Sequence, residues 1–154
     1  MPKEIEYKFL IKLDEINLPD NGVELKQAYI STTSNSTVRI RVVKDKAYLT
    51  LKGENIGAVR SEFEYEIPFA EAQEIMHELC DKPFIEKTRY EIPFGQHIWE
   101  VDVFHGDNYG LCIAEIELLS EDEAFEKPSW VYQNVTGEKK YYNSQLIRTP
   151  YKEW

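Results

Sequence analysis

Nine acids and seven bases fall at every second position of short runs whose other positions are apolar. In EIEYKFLI, Glu4, Glu6 and Lys8 alternate with Ile5, Tyr7, Phe9 and Ile11. Further along, Arg39 and Arg41 alternate with Val38, Ile40 and Val42. Arg60, Glu62, Glu64 and Glu66 alternate with Phe63, Tyr65 and Ile67, and Lys52 follows Leu49 and Leu51. Lys87 with Arg89, Glu100 with Asp102, and Glu115 with Glu117 repeat the pattern. Side chains of a strand alternate between its two faces, so each run has one charged and one apolar face. For a single strand, water is the ordinary destination of the charged face. Two features point inward when the strands are taken together. The polar positions hold few Thr, Ser or Gln, and acids sit at both ends of the chain order with bases on the third, fourth and sixth strands. Closed into a barrel, such faces would line a tunnel with an acidic and a basic wall. Charges buried at that density must be paired, hydrated or bound to ions. A polyanion with divalent metals meets both needs, because Arg and Lys grip phosphate oxygens while carboxylates hold hard cations.

The elements that must position these residues read mostly at period two. Strands are expected over 4–11, 25–31, 37–43, 47–53, 60–67, 84–94, 98–104 and 111–119. Residues 14–24 form a connection with at most a helical turn. After Pro68, Phe69, Ala72, Ile75, Met76 and Leu79 recur at helical spacing, predicting a helix over 69–80 with Pro at its first turn. The tail from Glu121 reads as short helices and turns. The fold class is α+β, mainly β: a closed eight-stranded antiparallel barrel or strongly curved sheet with helices outside. Closure would remove the exposed edges that long strands otherwise leave.

A chain of 154 residues fits one domain, 1–154, with room for a sizeable core, and 42% hydrophobic against 30% charged residues argues against disorder. The net charge of −10 disfavours nucleic acid and anionic membranes as partners. No apolar run is long enough for a signal peptide or membrane span, so a cytoplasmic protein is expected. Cys80 and Cys112 lack any CxxC or histidine pair and read as free thiols. His77, His97 and His105 read as surface residues. The aromatic positions Phe9, Tyr65, Tyr90 and Trp99 read as packing core.

Glu4-Ile5-Glu6-Tyr7-Lys8 resembles the ExExK signature of the CYTH superfamily, the triphosphate tunnel metalloenzymes. The resemblance continues in order through Gln27-Ala-Tyr29-Ile30, Arg39-Ile-Arg41, Leu51-Lys52-Gly53, Arg60-Ser-Glu62-Phe-Glu64, Lys87-Thr-Arg89, Glu100-Val-Asp102 and Ala114-Glu115-Ile-Glu117-Leu118. It ends with Val135-Thr136-Gly137 and Tyr142-Asn143-Ser144-Gln145-Leu146, and so spans nearly the whole chain. Tyr7 departs from the arginine common in short bacterial members, but its parity places it outside the tunnel.

The resemblance implies an inward-facing charged tunnel and one of several activities. Hydrolysis of inorganic triphosphate to pyrophosphate and phosphate leads; a class IV adenylate cyclase, a thiamine triphosphatase and a non-catalytic polyphosphate-binding module are the alternatives. The compact chain has no insertion to build a base pocket, and VTGEKKYYNSQLI resembles the helix that plugs the tunnel in short members. Two ions, Mg²⁺ or Mn²⁺, are implied. Glu4, Glu6 and Glu117 would hold the first; Glu62, Glu64, Asp102 and Glu115 would place the second or orient water. Lys8, Arg39, Arg41, Lys52, Arg60, Lys87 and Arg89 would bind phosphates. Tyr29 would reach the tunnel, and Lys139 and Lys140 would touch substrate or lie in water. The partner is a small polyanion, and the protein a monomer or homodimer.

Overall fold

The computed structural model describes residues 2–154. Eight strands form where alternation was read, with slightly shifted ends: β1 (Lys3–Ile11), β2 (Val23–Ile30), β3 (Thr37–Val43), β4 (Lys46–Lys52), β5 (Val59–Ile67), β6 (Ile85–Phe94), β7 (His97–Phe104) and β8 (Cys112–Glu117). Helix α1 (Phe69–Leu79) follows Pro68 as expected. The sheet runs β5-β4-β3-β2-β6-β7-β8-β1, and β1 pairs back with β5, so the eight strands close. Every ladder is antiparallel.

The tail differs from the expected turns by adding a ninth strand, β9 (Val131–Asn134), which pairs with Phe9, Leu10 and Ile11 of β1. β5 pairs with β1 only from Lys3 to Ile5, which leaves the later part of that edge open, and β9 covers it. A four-residue strand is too short to show alternation in sequence. The short helix α2 (Asn143–Leu146) and 3-10 turns at Lys139–Tyr141 and Tyr151–Glu153 complete the tail.

The apolar parity packs outside the barrel. α1 lies over β2, β3 and β4, where Ala28, Ile40 and Ala47 meet Ala72, Met76 and Cys80. On the opposite side Phe9, Trp99, Val101, Ala114 and Ile116 pack with Trp130 and Phe125. At one end of the barrel the inner faces themselves turn apolar, and Val135, Tyr141 and Leu146 of the tail close on Phe104, Leu111 and Ile113, which share the parity of Asp102 and Glu115. Tyr65 breaks the expected pattern and is 55% exposed: the α1 cluster gathers residues of β2, β3 and β4 and reaches Ile67 at the end of β5 but not Tyr65. Among the described residues no helix is long and apolar enough to cross a membrane.

Ile40 is fully buried against α1 while its neighbour Arg41 turns to the barrel interior. Ile40→Ala is therefore expected to destabilise by about 2–5 kcal/mol, read from denaturant unfolding. The kinetic constants of the folded fraction should be unchanged. A substrate-affinity defect in this variant would mean that the inward parity had been misassigned.

Candidate active site

All the expected site residues except Asp102 line one cavity of about 190 Å³ inside the barrel. The register explains why they meet. Glu6 stands opposite Glu117 and Lys8 opposite Glu115 on β1 and β8; Lys52 faces Glu62, Thr50 faces Glu64, and Glu100 faces Glu115. Directly opposed side chains on one face are near neighbours, so each ladder sets its charges side by side. Glu66 shares the parity but is exposed beyond the cavity. Glu100 lines the wall without having been given a role, and the tail contributes Tyr142, Asn143 and Ser144, none of which alternation could reveal.

A second space of about 760 Å³ shares Tyr29, Thr37, Arg60, Tyr142 and Ser144 with the first and forms a vestibule. Its walls are the 31–37 loop, the 53–58 loop and the tail, including Lys139 and Arg148. Lys140 turns away to stack on Tyr141 and Trp154.

Ion pairs organise the basic wall. Lys52 Nζ donates to Glu4 at 3.0 Å and lies 3.2 Å from Glu62, while Arg60 Nε donates to Glu4 at 3.2 Å. Arg39 reaches Glu64 at 3.4 Å and Thr50 at 3.2 Å. Arg89 reaches Glu100 at 3.3 Å and Glu115 at 3.4 Å. Lys8 Nζ meets a neutral acceptor, the Tyr141 carbonyl at 3.5 Å, and lies 5.3 Å from the centre of the Tyr142 ring.

The carboxylates meet in pairs. Burial, then the charge and hydrogen bond of Glu115, push Glu6 well above the usual carboxylate range. Burial opposes ionisation of Glu115 too, yet the hydrogen bond from Glu6 and the charges of Lys8, Arg89 and Lys87 hold it well below. The two therefore share one proton, as like charges in contact must. Glu4 and Glu62 form a second close pair. Burial opposes the charge of Glu4, but Lys52, the Glu62 hydrogen bond and Arg60 bring it to about 2. Burial and then Glu4 raise Glu62. Burial followed by Glu4 also raises Glu117.

Among the described residues no three of the acids stand as a ready set of metal ligands. The expected trio of Glu4, Glu6 and Glu117 is split between a Lys52/Arg60 contact, a Glu115 contact and an exposed position. The donor chemistry nevertheless fits hard divalent ions. The cavity offers carboxylate oxygens and neither Cys nor His among its lining residues, and each close pair, Glu6 with Glu115 and Glu4 with Glu62, sets two carboxylates where one cation could hold them together.

Asp102 is placed differently from its expectation. It is 1% exposed beneath the cavity wall with both oxygens engaged: Arg89 Nε donates to Oδ1 at 2.8 Å, while Lys87 Nζ and Arg89 donate to Oδ2 at 2.8 and 2.9 Å. Alternation put it on the inner face, but could not show that two long bases opposite would cover it.

An antiparallel barrel with opposed acidic and basic walls inside is a charged tunnel. A family model described as the CYTH domain matches residues 2–149, and the chain belongs to that family. It is 49% identical over 154 residues to an inorganic triphosphatase of Acetivibrio thermocellus, covering 100% of this chain and 99% of the relative. An inorganic triphosphatase of Nitrosomonas europaea is 37% identical over 151 residues, covering 93% and 95%. The crystal structure of an inorganic triphosphatase, 33% identical, superposes with a TM-score of 0.65 over 96% of this chain and 95% of that one. A Hippeastrum protein described by adenylyl cyclase and dominant triphosphatase activity shares the fold at 16% identity, with a TM-score of 0.61 over 78% and 80% of the chains.

Proposed function

We propose that this chain is a metal-dependent hydrolase that cleaves inorganic triphosphate with water to pyrophosphate and phosphate. The observation that carries the reading is the 190 Å³ cavity with a wall of carboxylates facing a wall of Lys and Arg, in a chain 49% identical to an inorganic triphosphatase. Lys8, Arg39, Arg41, Lys52, Arg60, Lys87 and Arg89 bind and orient the phosphate oxygens and offset negative charge that develops on them. Glu4, Glu6 and Glu117 would hold one Mg²⁺ or Mn²⁺, and Glu62, Glu64 and Glu115 would contribute to a second. Bound there, the ions would lower the pKa of a water and offset the negative charge that develops as the phosphoanhydride bond breaks. Asp102 holds Lys87 and Arg89 in place. Tyr29 adds a hydroxyl at the boundary between cavity and vestibule. Water is the nucleophile: Ser144 lies on the wall, but no side-chain hydrogen bond joins its hydroxyl to a base among the described residues. The lining of the cavity is charged or polar apart from the rings of Tyr29 and Tyr142, which suits a chain of phosphates.

The test is one panel: release of phosphate, pyrophosphate and cyclic AMP from triphosphate, ATP and thiamine triphosphate, with Mg²⁺, Mn²⁺ or EDTA. Phosphate and pyrophosphate should appear from triphosphate with metal and vanish with EDTA. The circular dichroism spectrum should survive EDTA, because ladders and outer packing hold the barrel. Cyclic AMP from ATP would establish the cyclase instead, and metal-supported binding of triphosphate without phosphate release would make the chain a binding module.

A further inference from the structure

Arg41 differs from most of its neighbours on the basic wall. Arg39, Lys52, Arg60, Lys87 and Arg89 each have a carboxylate partner. Among the described residues Arg41 has none, although it is half-buried and crowded by Arg39 and Arg89. Its one side-chain partner is the neutral amide of Gln27, directly opposite in the β2–β3 ladder, whose Oε1 accepts from Arg41 Nε at 2.9 Å. Gln27 is fully buried and stands behind the cavity lining.

The chemistry of the groups fixes which way the amide faces. A guanidinium can only donate, so Gln27 must turn its oxygen to Arg41 and its NH₂ elsewhere. The NH₂ donates to the Tyr29 hydroxyl at 3.0 Å, on the same face of β2. That hydroxyl thus accepts from Gln27, and its own proton has no acceptor among the described residues. Tyr29 lines both cavity and vestibule, so the proton is available to an anion there.

We propose that Gln27 is a positioning residue that sets Arg41 and Tyr29 as one clamp, presenting the terminal nitrogens of Arg41 and the Tyr29 hydroxyl as paired donors to a single phosphate group of the bound polyanion. This rests on the triphosphatase reading for the identity of the anion. A neutral amide suits the task because it orients a guanidinium without cancelling its charge. A carboxylate at position 27 would neutralise Arg41 and would accept the Tyr29 proton, withdrawing both donors at once.

The test compares wild type with Gln27→Glu, Gln27→Met, Arg41→Met and the double variant that adds Gln27→Met to Arg41→Met. Triphosphate affinity of metal-free protein is measured by calorimetry, and KM and kcat with Mg²⁺. Gln27→Glu should weaken binding and raise KM at least about tenfold, the size expected for losing charge-assisted contacts to a desolvated anion. Gln27→Met, which removes both hydrogen bonds at similar volume, should weaken binding at least about threefold and keeps the test open should the charged variant fail to fold. In the Arg41→Met background the added Gln27→Met should cost less than it does alone, because only the Tyr29 hydroxyl is left for the amide to hold. Unchanged affinity in the folded Gln27 variants, or a full undiminished loss without Arg41, would overturn the clamp. Wild type that binds but does not hydrolyse triphosphate would instead overturn the function, leaving the clamp to be judged by calorimetry alone.

Discussion

Glu6→Gln is expected to slow triphosphate hydrolysis at least about a hundredfold, roughly 3 kcal/mol of barrier, while leaving the thermal midpoint nearly unchanged. The two outcomes separate because Glu6 shares a proton with Glu115. A Gln amide occupies the same volume and can still donate to Glu115, so the fold keeps its hydrogen bond. What disappears is one ionisable oxygen pair for a divalent cation, and an amide carbonyl is a much weaker ligand than a carboxylate. Glu4→Gln should give a similar rate loss with a different stability signature. Glu4 compensates Lys52 and Arg60, and its folded pKa of about 2 lies below the ordinary 4.5. A depressed carboxylate contributes stability above its unfolded pKa and loses it as pH falls through the folded one. The wild type should therefore weaken between pH 4.5 and about 2 through this group, and the Glu4→Gln variant should lack that component. Rates against Mg²⁺ concentration and denaturation midpoints against pH check both. Near-normal rates in both variants at saturating metal would remove these residues from the ion site.

What the sequence made legible follows from the period of a strand. Alternation identifies which side chains share a face, and because Arg41 and Ile40 must part company, it assigned the lanes to one side and the helix-packing core to the other. The ordered motifs then decided which side is inside, which alternation alone leaves open. Three features escaped. β9 was too short to read, and its pairing depends on where β5 leaves β1. Asp102 has the same parity as Glu100, and only the reach of Lys87 and Arg89 across β6–β7 separates a buried counter-ion from a wall residue. Gln27 appeared within a motif, but as a neutral residue in a lane otherwise sorted by charge it carried no signal. Its role depends on standing opposite Arg41, a register that hairpin loop length sets rather than composition.

Asp102→Asn separates the two parts this residue could play. Removing one partner of a buried ion pair commonly costs about 3–5 kcal/mol, so a large fall in the denaturation midpoint is expected. The replacement keeps the shape but turns an NH₂ toward groups that only donate, and at least one of the three contacts must break. Arg89 retains Glu100 and Glu115; Lys87 retains only Asn143, at 3.3 Å. Burial has already brought Lys87 to about 8, with Asp102 its main support. Such a lysine carries charge below its pKa and loses it as pH rises through that value. It also costs stability in the charged form, a cost that fades between pH about 8 and 10.5. Without Asp102 the folded pKa falls further, so the alkaline limb of triphosphate binding should move to lower pH in the variant. Raising Mg²⁺ should not restore it, because the defect lies in an ammonium and a guanidinium rather than in a ligand to an ion. If added metal restores the rate and the alkaline limb stays where the wild type has it, Asp102 belongs to the metal site after all, and the side-chain contacts beneath the wall rearrange when the ions bind.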